Sequence, residues 1–288
     1  MTEKKPYNPI ELMAIIASRY LEDGKLIFAG TGIPMLAAAL AQKLHAPNLI
    51  LVFEAGGIAP KASMLPLSVA DSRTTYGAIC CANMPEAMEM LQKGLVTYSF
   101  LGGAQIDKYG NLNSTVIGDD YYNPKTRLPG SGGANELGSL AWKTNIIMNH
   151  SRRRFVEKLD YITTPGYLDG PGARERAGLP PGTGPHLVFS ELGVFDFDEE
   201  SKRMRLKAVL PGIDKQKIID ETGFELLIPE KIITEKEPTE EELRILREEV
   251  DPWRVVLSRG DKPAPTAVPV QKAHDRVYGQ NENSRSGT

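Results

Sequence analysis

The sequence predicts an α/β fold built on a mostly parallel open sheet flanked by helices. Three observations carry that prediction. Short apolar runs such as LIFA, LILVF and TYSFL alternate with stretches of helical periodicity. The runs are continuous rather than alternating, as in strands covered on both faces. Glycine turns follow them, where a strand hands the chain to a helix. No linker or internal repeat interrupts residues 1–258, which read as a single domain. From 259 to 288 the chain turns polar and Pro-rich, a composition that cannot bury a core. That segment is expected to be a flexible or partner-draped tail.

Taken in order, residues 9–22 (PIELMAIIASRYLE) carry apolar positions at helical spacing, with Pro9 suited to a first turn. Asp23-Gly24 ends that helix, KLIFAG is a short strand, and IPMLAAALAQKLH is a second helix. NLILVFEAG is the next strand, PEAMEMLQKG a helix, LVTYSFLGG a strand and TNIIMNH another buried strand. FVEKLDYITTPGYLDGPG leads into a Pro- and Gly-rich loop. HLVFSELGVFDFDEESKRMRLKAVLPG reads as two antiparallel strands around an acidic turn. PTEEELRILREEVD is a charged amphipathic helix with Glu and Arg at spacings that pair.

Bulk properties narrow the function. A net charge of −3 over 288 residues gives no reason to expect nucleic acid or an anionic membrane, and the basic run Ser151–Arg154 reads as a solvated face or ion-pair cluster. Two adjacent cysteines, Cys80 and Cys81, make no disulfide framework and read as small core residues in a reducing compartment. The four histidines are scattered, so no metal site is expected. The first residues have no apolar segment like that of a signal peptide, and no window approaches the roughly 20 apolar residues of a membrane helix. A cytoplasmic protein is expected.

Chemistry is expected at four glycine-rich spots: Gly30-Thr31-Gly32, Glu54-Ala55-Gly56-Gly57, Gly102-Gly103-Ala104-Gln105, and Gly130 to Ala134. Ligands of open parallel sheets gather at the carboxyl ends of strands, where glycine lets a ligand approach free backbone N–H groups. Any one spot is more simply a tight turn. Four together, one carrying an acid, favour a site. The dinucleotide pattern G-x-G-x-x-G fails because Leu36 stands at its third glycine position, and no phosphate-loop lysine follows. Glu54 is compatible with an ion pair, a ribose ligand, a general base or a nucleophile. A carboxylate nucleophile must be ionised, poorly hydrated and near donors that hold the oxyanion formed on attack. Small neighbours at Ala55, Gly56 and Gly57 would admit an acyl group, Gly132, Gly133 and Ala134 would supply N–H donors, and Gln105 would point into the site.

GTGIP (30–34), VFEAGG (52–57), FLGGAQIDKYGNLNST (100–115), GSGGAN (130–135), YITTPGYLDGPGARERAGLP (161–180) and TGFEL (222–226) together resemble the B subunits of family I coenzyme A-transferases, those acting on glutaconate above all. The resemblance runs from about Tyr7 to Pro252. It implies the transferase fold and a partner A subunit in an A2B2 or A4B4 assembly with the site at the subunit junction. It also implies acyl-CoA and carboxylic acids as substrates, and no permanently bound cofactor. Glu54 occupies the position of the family's glutamate, which attacks the thioester to form a mixed anhydride and then carries CoA as a glutamyl thioester. The glycines at 30, 32, 103, 132 and 133 would line the CoA and oxyanion region. Ala55 departs from the family pattern, which places Ser or Asn after the glutamate. Relatives redirected to hydrolysis or decarboxylation of CoA thioesters often lose that glutamate; its retention here favours transfer. A non-catalytic stabilising subunit is the remaining alternative. Asp169 and Arg174 are expected to order their loop.

Overall fold

The computed structural model describes residues 6–61, 64–69 and 71–257, so the expected tail at 259–288 lies outside the described residues. Its first helix, α1 (Pro9–Arg19), starts at a capping box. The Asn8 side chain accepts from Glu11 N–H and the Glu11 carboxylate accepts from Asn8 N–H, both at 2.9 Å, which satisfies two of the donors a helix start leaves open. Strand β1 (Leu26–Ala29), helix α2 (Ile33–Leu44) and strand β2 (Ile50–Val52) follow as predicted. A short antiparallel excursion, β3 (Gly57–Ile58) and β4 (Cys80–Cys81), then extends the sheet to one edge. Helix α3 (Met84–Gln92) returns the chain to β5 (Tyr98–Leu101). Two small hairpins come next, β6 (Gln105–Ile106) with β7 (Leu112–Asn113), and β8 (Val116–Ile117) with β9 (Thr126–Arg127). Helix α4 (Ala134–Leu140) leads into β10 (Lys143–Ile147), and the short α5 (Ala173–Arg176) precedes β11 (Pro185–Phe189).

The C-terminal part departs from the sequence expectation of two strands. Three are present: β11, β12 (Gly193–Phe197) and β13 (Met204–Val209), each antiparallel to the next. Ser190 makes the extra turn, its hydroxyl oxygen accepting from the N–H groups of Leu192 and Gly193 at 3.2 Å. Helix α6 (Lys215–Asp220), strand β14 (Ile233–Thr234) and α7 (Glu240–Ile245), which runs on into a π-turn, complete the chain. Cys80 and Cys81 are a second departure. They are exposed on the edge strand rather than packed in the core, because the two-residue β4 pairs only with β3.

The ten-stranded sheet runs β14-β13-β12-β11-β10-β5-β1-β2-β3-β4. Its centre, β11 to β2, is parallel. Successive side chains on these strands enter opposite cores, as the pleat requires. Ile27, Leu51, Phe100 and Phe189 pack with α1, α2 and α7, while Phe28, Val52, Leu101 and Val188 pack with α3, α4 and α6. Each such fully buried side chain contributes about 1.5–3 kcal/mol relative to exposure. Carboxylate–guanidinium pairs tie the C-terminal helix to α1, Glu242 to Arg19 and the buried Glu11 to Arg247, at 2.7 Å each.

From β1 the chain steps to β2 on one side, then crosses to β5 on the other. The direction reverses at the carboxyl ends of β1 and β5, the place where open α/β sheets form a crevice. Among the described residues, no helix is long and apolar enough to cross a membrane.

His150 lies beyond the end of β10, stacked on Phe155 with ring centroids 3.7 Å apart. Its ring nitrogens face Ser190 Oγ (3.2 Å) and Thr222 Oγ1 (3.0 Å). Burial pulls its pKa down to about 3. A neutral folded histidine whose unfolded counterpart titrates near 6.5 stabilises fully above that pH, and the stability drains as pH falls. The slope is about 1.4 kcal/mol per pH unit. Asp107, whose carboxyl burial pushes up to about 6, works in the opposite sense over the same window. The clean readout is therefore a difference. The stability advantage of wild type over His150→Gln, from urea unfolding, is expected to shrink by about 1.5 kcal/mol between pH 6.5 and 5.

Candidate functional site

Glu54 sits on the turn that closes β2 onto β3. Phe53 N–H donates to Gly57 O and Gly56 N–H to Phe53 O, both at 2.9 Å, which leaves Glu54 and Ala55 at the tip. Phe53 enters the α1–α2 core, so the next side chain points to the α3–α4 face. There it meets the Gly130–Ala134 loop. A methyl placed on Gly133 would stand 3.2 Å from Glu54 Oε1, and one on Gly132 3.9 Å away. Met88 of α3 packs on the same spot, its Cε 2.5 Å from that position on Gly133. The structure thus brings together two sequence-predicted spots, at 54 and 132–133, that lie far apart in the chain.

The Glu54 carboxylate is half-buried and, among the described residues, makes no hydrogen bond or ion pair. A partly desolvated carboxylate with no partner is poised for one that arrives. The Gly132 and Gly133 N–H groups likewise donate to no acceptor among the described residues. Ala134 N–H, expected as a third donor, is already spent on Ser131 O at 2.9 Å.

The remaining sequence candidates divide. Gly30 directly follows the end of β1, with Thr31 and Gly32 leading into α2. Gly32 adopts φ +98° at the α2 N-cap with open space around it. Gly56 and Gly57 are glycines for another reason than ligand access. A methyl on Gly56 would fall 1.9 Å from Ala82 O, and one on Gly57 1.8 Å from Thr74 O, so the edge strands can pack only if both lack side chains. At Gly103 the crowding is milder, a methyl there standing 3.2 Å from Gln105 O and from Leu112 Cδ2. Gln105 is buried with its amide committed, accepting from Asn113 Nδ2 (2.7 Å) and donating to Asp160 (3.3 Å). Asp169 is exposed.

Two contributors were not legible as site residues. Met88 looked only like one apolar position of a helix. Arg174, read as a loop-orderer, does more. It is 2% exposed and, among the described residues, pairs with no carboxylate. Its guanidinium donates instead to Pro165 O, Gly166 O, Gly138 O, Ser139 O and Thr183 Oγ1, at 2.8 to 3.2 Å. Burial pulls its pKa below the usual arginine value. Gly138 and Ser139 lie in the last turn of α4, so Arg174 grips the C-terminal end of the helix whose other end meets Glu54. Among the described residues no three His, Cys, Asp or Glu side chains gather to hold a metal ion.

A strand-end carboxylate against a glycine loop at a chain reversal is a distinctive arrangement, and comparison with known proteins gives the family that carries it here. The family model for coenzyme A transferase matches residues 10–221. The chain belongs to that family. It is 39% identical over 264 residues to the B subunit of glutaconate CoA-transferase from Acidaminococcus fermentans, covering 89% of this chain and 97% of the relative. Against the B subunit of 3-oxoadipate CoA-transferase from Pseudomonas knackmussii it is 38% identical, covering 84% and 92%. The solved glutaconate CoA-transferase of Acidaminococcus fermentans superposes with a TM-score of 0.83 at 37% identity over 88% of this chain and 98% of that one. The decarboxylase AibA/AibB shares the fold at a TM-score of 0.73 and 25% identity, covering 85% and 95%. This CoA-transferase family chain is therefore of the B-subunit type.

Proposed function

We propose that the chain is the B half of a two-subunit enzyme that moves CoA between carboxylic acids, with Glu54 as the covalent carrier. The observation that supports this most is the unpartnered Glu54 carboxylate beside the free Gly132 and Gly133 N–H groups. A Glu54 oxygen attacks the thioester carbonyl, the C–S bond breaks, CoA leaves as thiolate, and a mixed anhydride of Glu54 and the acyl group remains. The thiolate attacks the glutamyl carbonyl, which frees the donor acid and leaves a glutamyl-CoA thioester. The acceptor carboxylate then runs the two steps in reverse order of roles, and Glu54 is regenerated. No net proton or electron is exchanged. Each attack builds an oxyanion, for which the two glycine N–H groups are the available donors. The names of the two similar B subunits point to a dicarboxylic acyl group such as glutaconyl or 3-oxoadipyl.

A covalent carrier requires a half-reaction. Isotopically labelled free acid should exchange into its own acyl-CoA with no second acid present, and free thiol should not accumulate. Thiol or carbon dioxide release without acceptor, and no exchange, would instead mark a hydrolase or decarboxylase on this fold.

Gly133→Ala is a sensitive probe of the same geometry. The Gly133 backbone (φ −83°, ψ 8°) accepts an L-residue without strain, and its other close neighbour is the flexible end of Met88. The new methyl crowds the carboxylate at 3.2 Å. Transfer is expected to fall on the order of tenfold to a hundredfold, since a misplacement of about 1 Å can cost that much. Steady-state rates and a thermal melt on the same preparation check it, with the melt expected to change little.

A further inference from the structure

Gly133 has no backbone reason to be a glycine. Its φ of −83° and ψ of 8° are open to any L-residue. What a side chain there would meet is Met88 Cε at 2.5 Å and Glu54 Oε1 at 3.2 Å. The thioether methyl and the carboxylate close on the same point, and the missing Cβ is the room they share. Met88 is held in that place by a rigid base. Helix α3 starts at a capping box, in which Asn83 Oδ1 accepts from Glu86 N–H at 2.9 Å and the Glu86 carboxylate accepts from Asn83 N–H at 2.8 Å. One residue earlier, Ala82 N–H donates to Gly56 O at 2.9 Å, which ties the helix start to the turn that carries Glu54. Ala87 and Leu91, on either side of Met88 along the helix, are buried in the core shared with α4. The side chain presented to Glu54 is half-buried and apolar, and its sulfur offers water only a weak acceptor.

The proposed reaction leaves two hydrolysable groups in turn on Glu54, an anhydride and a thioester. Water competes with the acceptor carboxylate for the glutamyl carbonyl of the thioester. Its oxygen bonds to that carbon, the C–S bond breaks, one water proton leaves with CoA as free thiol, and Glu54 is regenerated. Each such event spends a thioester without transfer. Excluding water from a reactive intermediate is what an apolar wall against the carboxylate achieves.

We infer that Met88 is a positioning residue that keeps water from the Glu54 adducts and so sets how strictly CoA is transferred rather than released. Gly133 is a glycine so that Met88 reaches this place. The inference rests on the covalent-carrier reading proposed above. The test uses the two-subunit complex with glutaconyl-CoA, or with 3-oxoadipyl-CoA where wild type does not exchange the first, and the matching labelled acid as the only acid present. Exchange of label into acyl-CoA and release of free CoA, followed by chromatography, are read on one preparation. A side chain that merely filled space would change stability and both rates together, not their ratio. Met88→Gln keeps the length and carries an amide that binds water. Its ratio of CoA release to exchange is expected to rise about tenfold over wild type, with the KM for acyl-CoA little changed. Met88→Ala should raise the ratio as well, by leaving a gap. Met88→Leu, apolar and of similar volume, should keep the wild-type ratio. Met84→Ala, one turn earlier on α3 at a position 50% exposed, should also keep it. An unchanged ratio in Met88→Gln, with exchange intact, overturns the role of Met88 and leaves Glu54 as carrier. A Met88→Leu ratio as high as that of Met88→Gln does the same. Wild-type complex that exchanges neither acid overturns the covalent reading and the role of Met88 with it.

Discussion

Glu54→Gln is expected to abolish CoA transfer, and Glu54→Asp to reduce it by about 100-fold or more. The glutamine keeps the shape and the half-buried surroundings but offers no anionic oxygen, so neither the anhydride nor the glutamyl thioester can form. The aspartate keeps the charge and retracts it by one methylene, about 1 Å, which is enough to spoil an attack geometry. Because Glu54 bonds to nothing among the described residues, neither change removes a stabilising contact, and both variants should melt like wild type. An enzyme assayed as the two-subunit complex, with the acyl-CoA at saturation, gives the rate. Transfer by Glu54→Gln at wild-type rate would make this chain a structural subunit.

The second large effect concerns stability. Arg174→Met should cost about 3 kcal/mol or more. The change strands the Pro165, Gly166 and Gly138 carbonyls that the guanidinium now serves, while Ser139 O and the Thr183 hydroxyl keep other partners, and each unsatisfied buried group costs about 1–3 kcal/mol. Arg174→Lys should fare little better. Its acceptors lie on two sides of a planar fork, on the 165–166 turn and on the end of α4, and a single ammonium cannot reach both. Denaturant unfolding measures the loss. Activity should fall with it even at temperatures where the variant stays folded, because α4 carries the glycine loop to Glu54.

The central strands were legible because burial on both faces writes a continuous apolar run, as in LIFA and TYSFL. The helices were legible from periodicity and, for the first, from Pro9 at its start, although the capping partners Glu11, Glu86 and Glu242 add a signal the periodicity does not use. Two-residue strands such as β3, β4 and β6 to β9 hold no period to read. For that reason Cys80 and Cys81 passed for core, and the β8–β9 hairpin passed unnoticed. A hydroxyl-built turn at Ser190 hid a third strand inside what read as one.

The site was legible in part. An acid after a buried strand is rare enough to single out Glu54, and the glycine clusters marked where backbone is bare. Which glycines face the acid and which merely let backbone pass was not legible. Gly133 and Gly57 look alike in sequence, yet one stands against the carboxylate and the other against Thr74 O. Only the packing of α3, α4 and the edge strands separates them. Arg174 was hidden for a similar reason, since its partners are carbonyls and no sequence pattern marks a carbonyl.

Whether Glu54 carries CoA is asked most directly by chemical trapping. The two-subunit complex is incubated with acyl-CoA in the absence of acceptor, treated with borohydride, and digested for peptide mapping. A thioester or anhydride on Glu54 would be reduced to a primary alcohol. We expect that single modification, dependent on acyl-CoA, with activity lost in proportion. Full turnover with the Glu54 peptide unmodified, or the same modification on another carboxylate, would contradict a covalent role for Glu54.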